Sequence, residues 1–566
     1  MADPGPSSPR ARAERRAEAG PAGRPPWWTL DLAGSLVGLA LAVLSVTPSL
    51  LPRPALLQGA LAAILFAVGY LIGAGVSAIV RAALRRGGPA PVVRGRWWLL
   101  YGALWAVAVV GLSALSLQWQ NEIHRLVEMP PLGGGDLGLF LLGFLPVAAL
   151  LLAAGKGTRG MFRGLRRSVG PVASGALSTV VVVALVAALV LAGMSGIDAI
   201  YLERNGRPAA GVQEPDSAAR SAGPDSAIAW DTLGRHGTAF VGGGPTATQI
   251  AALTGRPALE PIRVYAGLAS APTVQERADL IVAELERTGA FDRAVLVVAT
   301  TTGSGWLEPQ AVDAIEYLQG GDTAIAAMQY AYTPSWVSSV FDPDAPLESA
   351  RVLFATIEAR WSRLPEGRRP LLLSYGLSLG AHGSQGVFAD LADLRDRVDG
   401  ALFAGSPNGS PLWRTLQAQR DPGSPAWQPV LDGGREVRWI SRAGDEDLLA
   451  GPWERPRVLY LQHATDPVTW LSADLLFQPP DWLRADQRGA DVSPSMQWIP
   501  IVTALQVVVD MLGGEAVPAR HGHNFGDVAV TGWRQVAGDA GLDAAAIARI
   551  RAEIESYAPI QPSTQD

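Results

Sequence analysis

The sequence of 566 residues predicts an α-helical membrane region in its first third, followed by an α/β domain whose mainly parallel sheet carries helices on both faces. Three observations predict this. Five long apolar stretches fall before residue 197, short β-rich runs alternate with helical patterns after residue 260, and charge divides between the two parts. Before residue 197 there are 17 Lys and Arg against seven Asp and Glu, whereas the rest of the chain is strongly acidic. An acidic second part argues against a nucleic-acid partner, because phosphate binding needs clustered cations. The sequence contains no cysteine, which excludes thiolate chemistry and disulfides but says nothing of compartment.

The apolar stretches cover residues 30–51, 56–80, 97–117, 137–155 and 171–194. Each is long enough to cross a hydrocarbon layer of about 30 Å at about 1.5 Å per helical residue. Buried helices of a soluble protein would show polar faces at helical period, and the run Val180-Val181-Val182-Val183-Ala184-Leu185-Val186 shows none. Four further spans follow the first, so it is not expected to be a cleaved leader.

Basic residues alternate loop by loop. Arg10, Arg12, Arg15, Arg16 and Arg24 precede the first span, Arg81, Arg85, Arg86, Arg94 and Arg96 follow the second, and Lys156, Arg159, Arg163, Arg166 and Arg167 follow the fourth. The other two connections hold only Arg53 and Arg125. This pattern predicts a multi-pass plasma-membrane protein with a cytoplasmic N-terminus, and five spans then put the second domain outside the cytoplasm. Trp27-Trp28, Trp97-Trp98 and Trp119 fall at span ends, where an indole sits well at headgroup level. No Asp, Glu, Lys or His interrupts the middle of a span, so the bilayer is expected to serve for anchoring rather than transport.

The expected organisation is a disordered tail over 1–26, a five-helix membrane domain over 27–196, a polar linker over 197–228, an α/β domain over 229–556 and a short disordered tail over 557–566. Expected strands are Ile262–Tyr265, Ala294–Thr300, Ala324–Tyr330, Leu371–Tyr375, Ala401–Ala404 and Val458–Gln462, with a further one at Arg438–Ile440. Helical patterns fill Val274–Thr288, Pro309–Leu318 and Leu347–Leu364, and a helix packed on the sheet accounts for Trp498–Met511.

Gly376-Leu377-Ser378-Leu379-Gly380 directly follows one of these strands. A serine on a sharp strand-to-helix turn holds its hydroxyl clear of the backbone, and flanking glycines let strand and helix approach closely. Ligands of parallel sheets bind beyond the C-terminal strand ends, where Asp466 follows the Val458 strand; His521 and His523 come later in the chain. The order serine, aspartate, histidine is that of the α/β-hydrolase fold. Asp445 and Asp447 are rival acids; Asp466 is favoured because its strand lies nearest in sequence to the histidine segment and an Asp-Pro step favours a fixed turn.

With Trp230-Asp231-Thr232-Leu233-Gly234, the serine motif, Gln462-His463-Ala464-Thr465-Asp466-Pro467-Val468 with Trp470, and His521-Gly522-His523, the chain resembles a family of bacterial membrane-anchored α/β-hydrolases. The resemblance covers roughly residues 28–535. That family carries an acidic residue where this chain has Leu377. The resemblance implies a serine hydrolase acting on a carboxylic ester, with Ser378 as nucleophile, Asp466 as the acid and His523, in preference to His521, as the base.

An oxyanion would be bound by the N–H of Leu379 and by a second N–H from the loop Thr300-Thr301-Thr302-Gly303-Ser304-Gly305-Trp306, with Thr302 the chosen residue. His382 and His463 are expected to pack. The histidine pair is a possible zinc pattern, but there is no His-Glu-x-x-His and no cysteine, so neither a metal nor any other cofactor is expected. Trp306, Trp336, Trp470, Trp482 and Trp498 are candidates for an apolar acyl pocket or for core. The expected substrate is an acyl ester, such as a lipid or envelope component held near the bilayer; acyl transfer by the same residues, or a non-catalytic scaffold, are the alternatives.

Overall fold

The computed structural model describes residues 30–84, 95–134, 136–449 and 451–557. The expected N-terminal tail, Trp27-Trp28, Arg85, Arg86, Arg94 and residues 558–566 of the expected C-terminal tail lie outside the described residues. Tyr557 does not belong to a free tail, since it packs against the core.

Seven strands form one sheet in the order β1-β3-β2-β4-β5-β7-β6: β1 (Ile262–Ala266), β2 (Val295–Thr300), β3 (Thr323–Met328), β4 (Leu371–Leu377), β5 (Gly400–Ala404), β6 (Val437–Ile440) and β7 (Arg457–Leu461). All neighbouring pairs are parallel. Helices must then supply the crossovers and cover the sheet, which is why the strands read as unbroken apolar runs and β2 is buried throughout. One group of helices, Pro309–Leu318, Val528–Ala537 and Ala544–Glu555, packs together over the sheet, and a second comprises Val274–Arg287, Ala345–Trp361 and Leu379–Gln385. The expected strand at Arg438–Ile440 is the edge strand β6. The expected helix at Trp498–Met511 is shorter, Val502–Asp510, because Ile501 takes a positive φ of 66° just before it.

Among the described residues, five helices precede this domain: α1 (Leu32–Leu44), α2 (Ala55–Ala83), α3 (Gly95–Leu126), α4 (Leu137–Val169) and α5 (Pro171–Asn205). Glycine lets α1 and α2 touch backbone to backbone: a Cβ at Gly38 would stand 2.7 Å from the Phe66 carbonyl, and one at Gly69 would stand 2.6 Å from that of Val37. Gly59 and Gly143 do the same for α2 and α4, where a Cβ would come within 2.1 Å and 2.0 Å of backbone oxygens.

Among the described residues, three helical segments are long and apolar enough to cross a membrane, Ala55–Ala83 in α2, Leu137–Arg166 in α4 and Ala173–Asn205 in α5. The first expected span is corrected. Helix α1 has 13 residues, or about 20 Å, and the chain leaves the helix at Ser45 ahead of Pro48, Pro52 and Pro54. Leu50 and Leu51 are instead fully buried in the core of the α/β domain.

Ser49 Oγ and the Leu50 N–H donate to Asp510 at 2.9 and 3.0 Å, and Arg53 Nε lies 3.6 Å from the same carboxylate. Gln506 Nε2 donates to the carbonyls of Ser45 and Thr47. The other end of the bundle is basic, with Arg81 paired to Asp31 and Arg159 bonded to the Tyr70 hydroxyl.

The expected linker is also corrected. Helix α5 continues to Asn205, and the chain after it is fixed beside β1, where Arg263 accepts from Ser221 at 3.0 Å and donates to Ala219 at 3.2 Å. The Arg220 guanidinium is buried against the carbonyls of Val241 and Pro245 and the carboxylate of Glu260. A polar composition reads as a tether, but these residues satisfy their hydrogen bonds within the fold.

Candidate active site

Strand β4 ends in a turn that only a few backbones allow. Ser378 has φ 56° and ψ −123°, a conformation that costs a non-glycine residue energy and projects its side chain from the sheet edge. The flanking glycines explain how strand and helix come so close: a Cβ at Gly376 would stand 2.4 Å from the carbonyl carbon of Gly380, and one at Gly380 would stand 2.3 Å from the oxygen of Thr300. Ser378 is half-buried, and its N–H donates to Ala404 at 2.9 Å, tying the turn to the end of β5.

The next residue, Gly405, has φ 53° and lies under the ring of His523; a Cβ there would stand 2.3 Å from the imidazole Cε1. Thus the histidine segment reaches the rim of the sheet beside the Ser378 turn because one residue there has no side chain. Gly405 carried no signal in the sequence, since its role depends on a chain segment more than a hundred residues away.

Asp466 follows β7 and is fully buried. Its Oδ1 accepts from the Val468 N–H at 2.8 Å, capping the short helix Pro467–Trp470, and Oδ2 lies 2.8 Å from His523 Nδ1. The imidazole N–H donates to the carboxylate, so Nε2 is the nitrogen left to take a proton. Nε2 is buried and, among the described residues, makes no hydrogen bond to the Ser378 hydroxyl or any other group. Such bonds are commonly long before substrate binds. Burial by itself lowers the His523 pKa, but attraction and hydrogen bonding from Asp466, with smaller contributions from Glu515 and Glu308, more than offset it and leave it above the ordinary value.

His521 turns instead toward Asp491, with Nδ1 3.6 Å from Oδ2. Thr465 links this side to the loop, donating to Asp491 at 3.2 Å and accepting from the Gly522 N–H at 3.0 Å. His463 packs as expected: it is fully buried, bonded to the Gly522 carbonyl at 2.9 Å and stacked on Phe525. His382 contacts the Ser410 hydroxyl at 3.2 Å. Of the rival acids, Asp445 closes its own turn by accepting from Ser441 and Arg442, and Asp447 is exposed.

Leu379 is the first residue of the helix after the turn, where a backbone N–H has no partner within the helix and is available to an oxyanion. Thr302 is corrected. Its N–H donates to the Trp306 carbonyl at 2.9 Å inside a tight turn closed by Gly305 N–H to Thr302 oxygen, so it is not free to bind a second group. The glycines that suggested an inward-facing loop serve to fold the loop on itself.

Sequence reading missed Glu308, at the end of the same loop. This carboxyl is buried beside the Tyr375 hydroxyl, 3.4 Å away. Burial pushes its pKa up to about 7, with His523 pulling down and Glu515 pushing up. In the sequence it reads as an ordinary residue before a helix. Trp306, Trp470 and Trp482 are core, Trp498 is partly buried and Trp336 is exposed.

A family model described as the alpha/beta-hydrolase family matches residues 262–550, and the model of that family's N-terminus matches 46–245. No match was found among curated proteins or among solved structures. The first matched stretch takes in every strand, the serine turn, Asp466 and His523, and the second begins within the segment that leaves α1 to enter the core. The chain belongs to the alpha/beta-hydrolase family.

Proposed function

We propose that the protein is a membrane-anchored serine hydrolase that cleaves a carboxylic ester, such as that of a lipid or envelope component near the bilayer. The observation that carries this reading is the buried 2.8 Å contact between His523 and Asp466 on the rim where Ser378 holds its strained turn. His523 takes the hydroxyl proton as Ser378 attacks the acyl carbon, and Asp466 stabilises the imidazolium that results. The Leu379 N–H meets the oxyanion of the tetrahedral intermediate. Collapse expels the alcohol with the proton from His523, and water activated by the same imidazole then releases the acid from the acyl-enzyme.

The anchor is assigned to helices α2 to α5, with the shorter α1 packed on α2 and its Asp31 end beside Arg81 on the cytoplasmic side, and with the α/β domain on the outer side of the plasma membrane. Apolar residues facing outward, among them Leu142 at 60% and Leu189 at 72% exposure, support it. So does the concentration of Arg81, Arg159 and Arg163 at the helix ends away from the domain.

The test is labelling of intact cells with a membrane-impermeant fluorophosphonate probe. Wild type is expected to label without permeabilisation and Ser378→Ala not at all. Absence of wild-type labelling in lysed as well as intact cells would remove the hydrolase assignment, and labelling only after lysis would reverse the orientation.

A further inference from the structure

A cavity of about 770 Å³ lies between the N-terminal helices and residues 512–517, within the size range of small-molecule sites. Its wall is mostly apolar, made by Val43, Trp105, Phe140, Phe144, Leu512 and Val517. Ser378, Asp466 and His523 are not part of it. Gln58 is, and this side chain is buried with its Nε2 donating to the Ser45 carbonyl at 3.1 Å while its Oε1 has no partner among the described residues. A buried acceptor in that state calls for a donor.

The cavity wall is also the back of the candidate active site. Gly513, Ala516 and Val517 line it, while the intervening Gly514 carbonyl accepts from the His523 N–H at 2.7 Å and the Val517 carbonyl accepts from Asn524 at 2.9 Å. Two other walls belong to α2 and α4, both long and apolar enough to cross a membrane and exposing residues such as Leu71 and Leu142 on their outer sides. Since α2 and α4 meet backbone to backbone at Gly59 and Gly143, a ligand from the hydrocarbon layer enters on the α3 side, where Trp105 and Leu117 complete the wall.

We propose that this cavity binds the acyl chain of a glycerolipid drawn from the bilayer, with a glycerol hydroxyl donating to Gln58 Oε1, as a bound ligand distinct from the ester attacked at Ser378. Its occupancy braces the 512–517 segment that holds His523 in place. The inference rests on the membrane placement above and not on the hydrolytic chemistry.

The test uses the full chain in phosphatidylcholine vesicles with a diazirine-bearing monoacylglycerol, irradiated and mapped by peptide mass spectrometry. Adducts are expected within residues 39–62, 137–144 or 512–517, competed by unlabelled monoacylglycerol and weaker with a diazirine alkane that has no hydroxyl. Gln58→Leu should erase that preference, and Leu117→Trp, which fills the cavity from α3, should cut the yield about tenfold or more while leaving the thermal midpoint unchanged. Ser378→Ala should photolabel as wild type does. Adducts confined to the outer helix faces, or lost in Ser378→Ala, would overturn the proposal. Photolabelling that persists in a protein unreactive toward fluorophosphonate would uphold the lipid site while the hydrolase assignment fell.

Discussion

His523 Nδ1 and Asp466 Oδ2 are 2.8 Å apart, both buried, although 57 residues separate them in the chain. The carboxylate has its other oxygen fixed by the Val468 N–H, so its direction is set before the imidazole arrives. The pair therefore fixes both which ring nitrogen carries a proton and where the other one points.

Replacing Asp466 by Asn should lower kcat/KM by about 10²–10⁴ through loss of the right tautomer and of imidazolium stabilisation. The pH profile adds a sign. Asp466 is the main influence holding the His523 pKa above its ordinary value against burial, so its loss drops the pKa and the neutral base persists to lower pH. The acid limb of the rate profile should move downward in Asp466→Asn. A limb that moves upward, measured on any activated ester the protein accepts, would contradict the pairing.

Gly380→Ala should destabilise the protein by about 1–3 kcal/mol, because its Cβ would meet the Thr300 oxygen at 2.3 Å and that of Thr301 at 2.9 Å. Gly409→Ala, with nothing within 4 Å, is the control and should be near neutral. Denaturant midpoints measured for both decide it, and equal values would mean that the serine turn is not closely packed.

Asp510→Ala should cost about 3–5 kcal/mol by leaving the buried Arg53 charge unpaired and the Ser49 and Leu50 donors unmet. Replacing both Arg53 and Asp510 by Leu should cost less than Asp510→Ala alone. Thermal unfolding of the full chain in detergent, with proteolysis of residues 45–54 as a local readout, reports both. A double variant worse than the single one would show that the charge pair itself holds the helices to the domain.

Glu308→Gln tests the buried carboxyl beside Tyr375. Its pKa is raised to about 7, so the folded chain binds the proton more tightly than the unfolded chain. Stability from this group is then present at low pH and falls as pH rises from the ordinary carboxyl value to about 7, by up to about 3 kcal/mol. The stability of wild type relative to Glu308→Gln should decline between about pH 5 and about pH 8. A difference that stays flat over that range would mean the carboxyl is hydrated.

Much of the fold was legible because its signals are local. A parallel strand covered on both faces must be apolar at every position, so Val295–Thr300 and Leu371–Leu377 announce themselves, and a Gly-x-Ser-x-Gly turn needs only its own neighbours to be recognised. Thr302 and the linker misled for the converse reason. Glycines that free a backbone N–H and glycines that fold it onto Trp306 look alike in sequence, and a polar stretch does not disclose that Arg220 will be buried beside β1.

By itself the sequence determined the two-part organisation, the parallel α/β class and the serine turn, all of which follow from hydrophobic period, charge and local turn chemistry. Only the tertiary structure decided that His523 rather than His521 meets Asp466, that Gly405 makes room for it, that Glu308 is buried nearby and that residues 45–54 enter the core of the second domain. Those relations depend on which distant segments share a few ångströms of space, and burial, the quantity that sets both packing and pKa, is a property of the folded surroundings rather than of any residue.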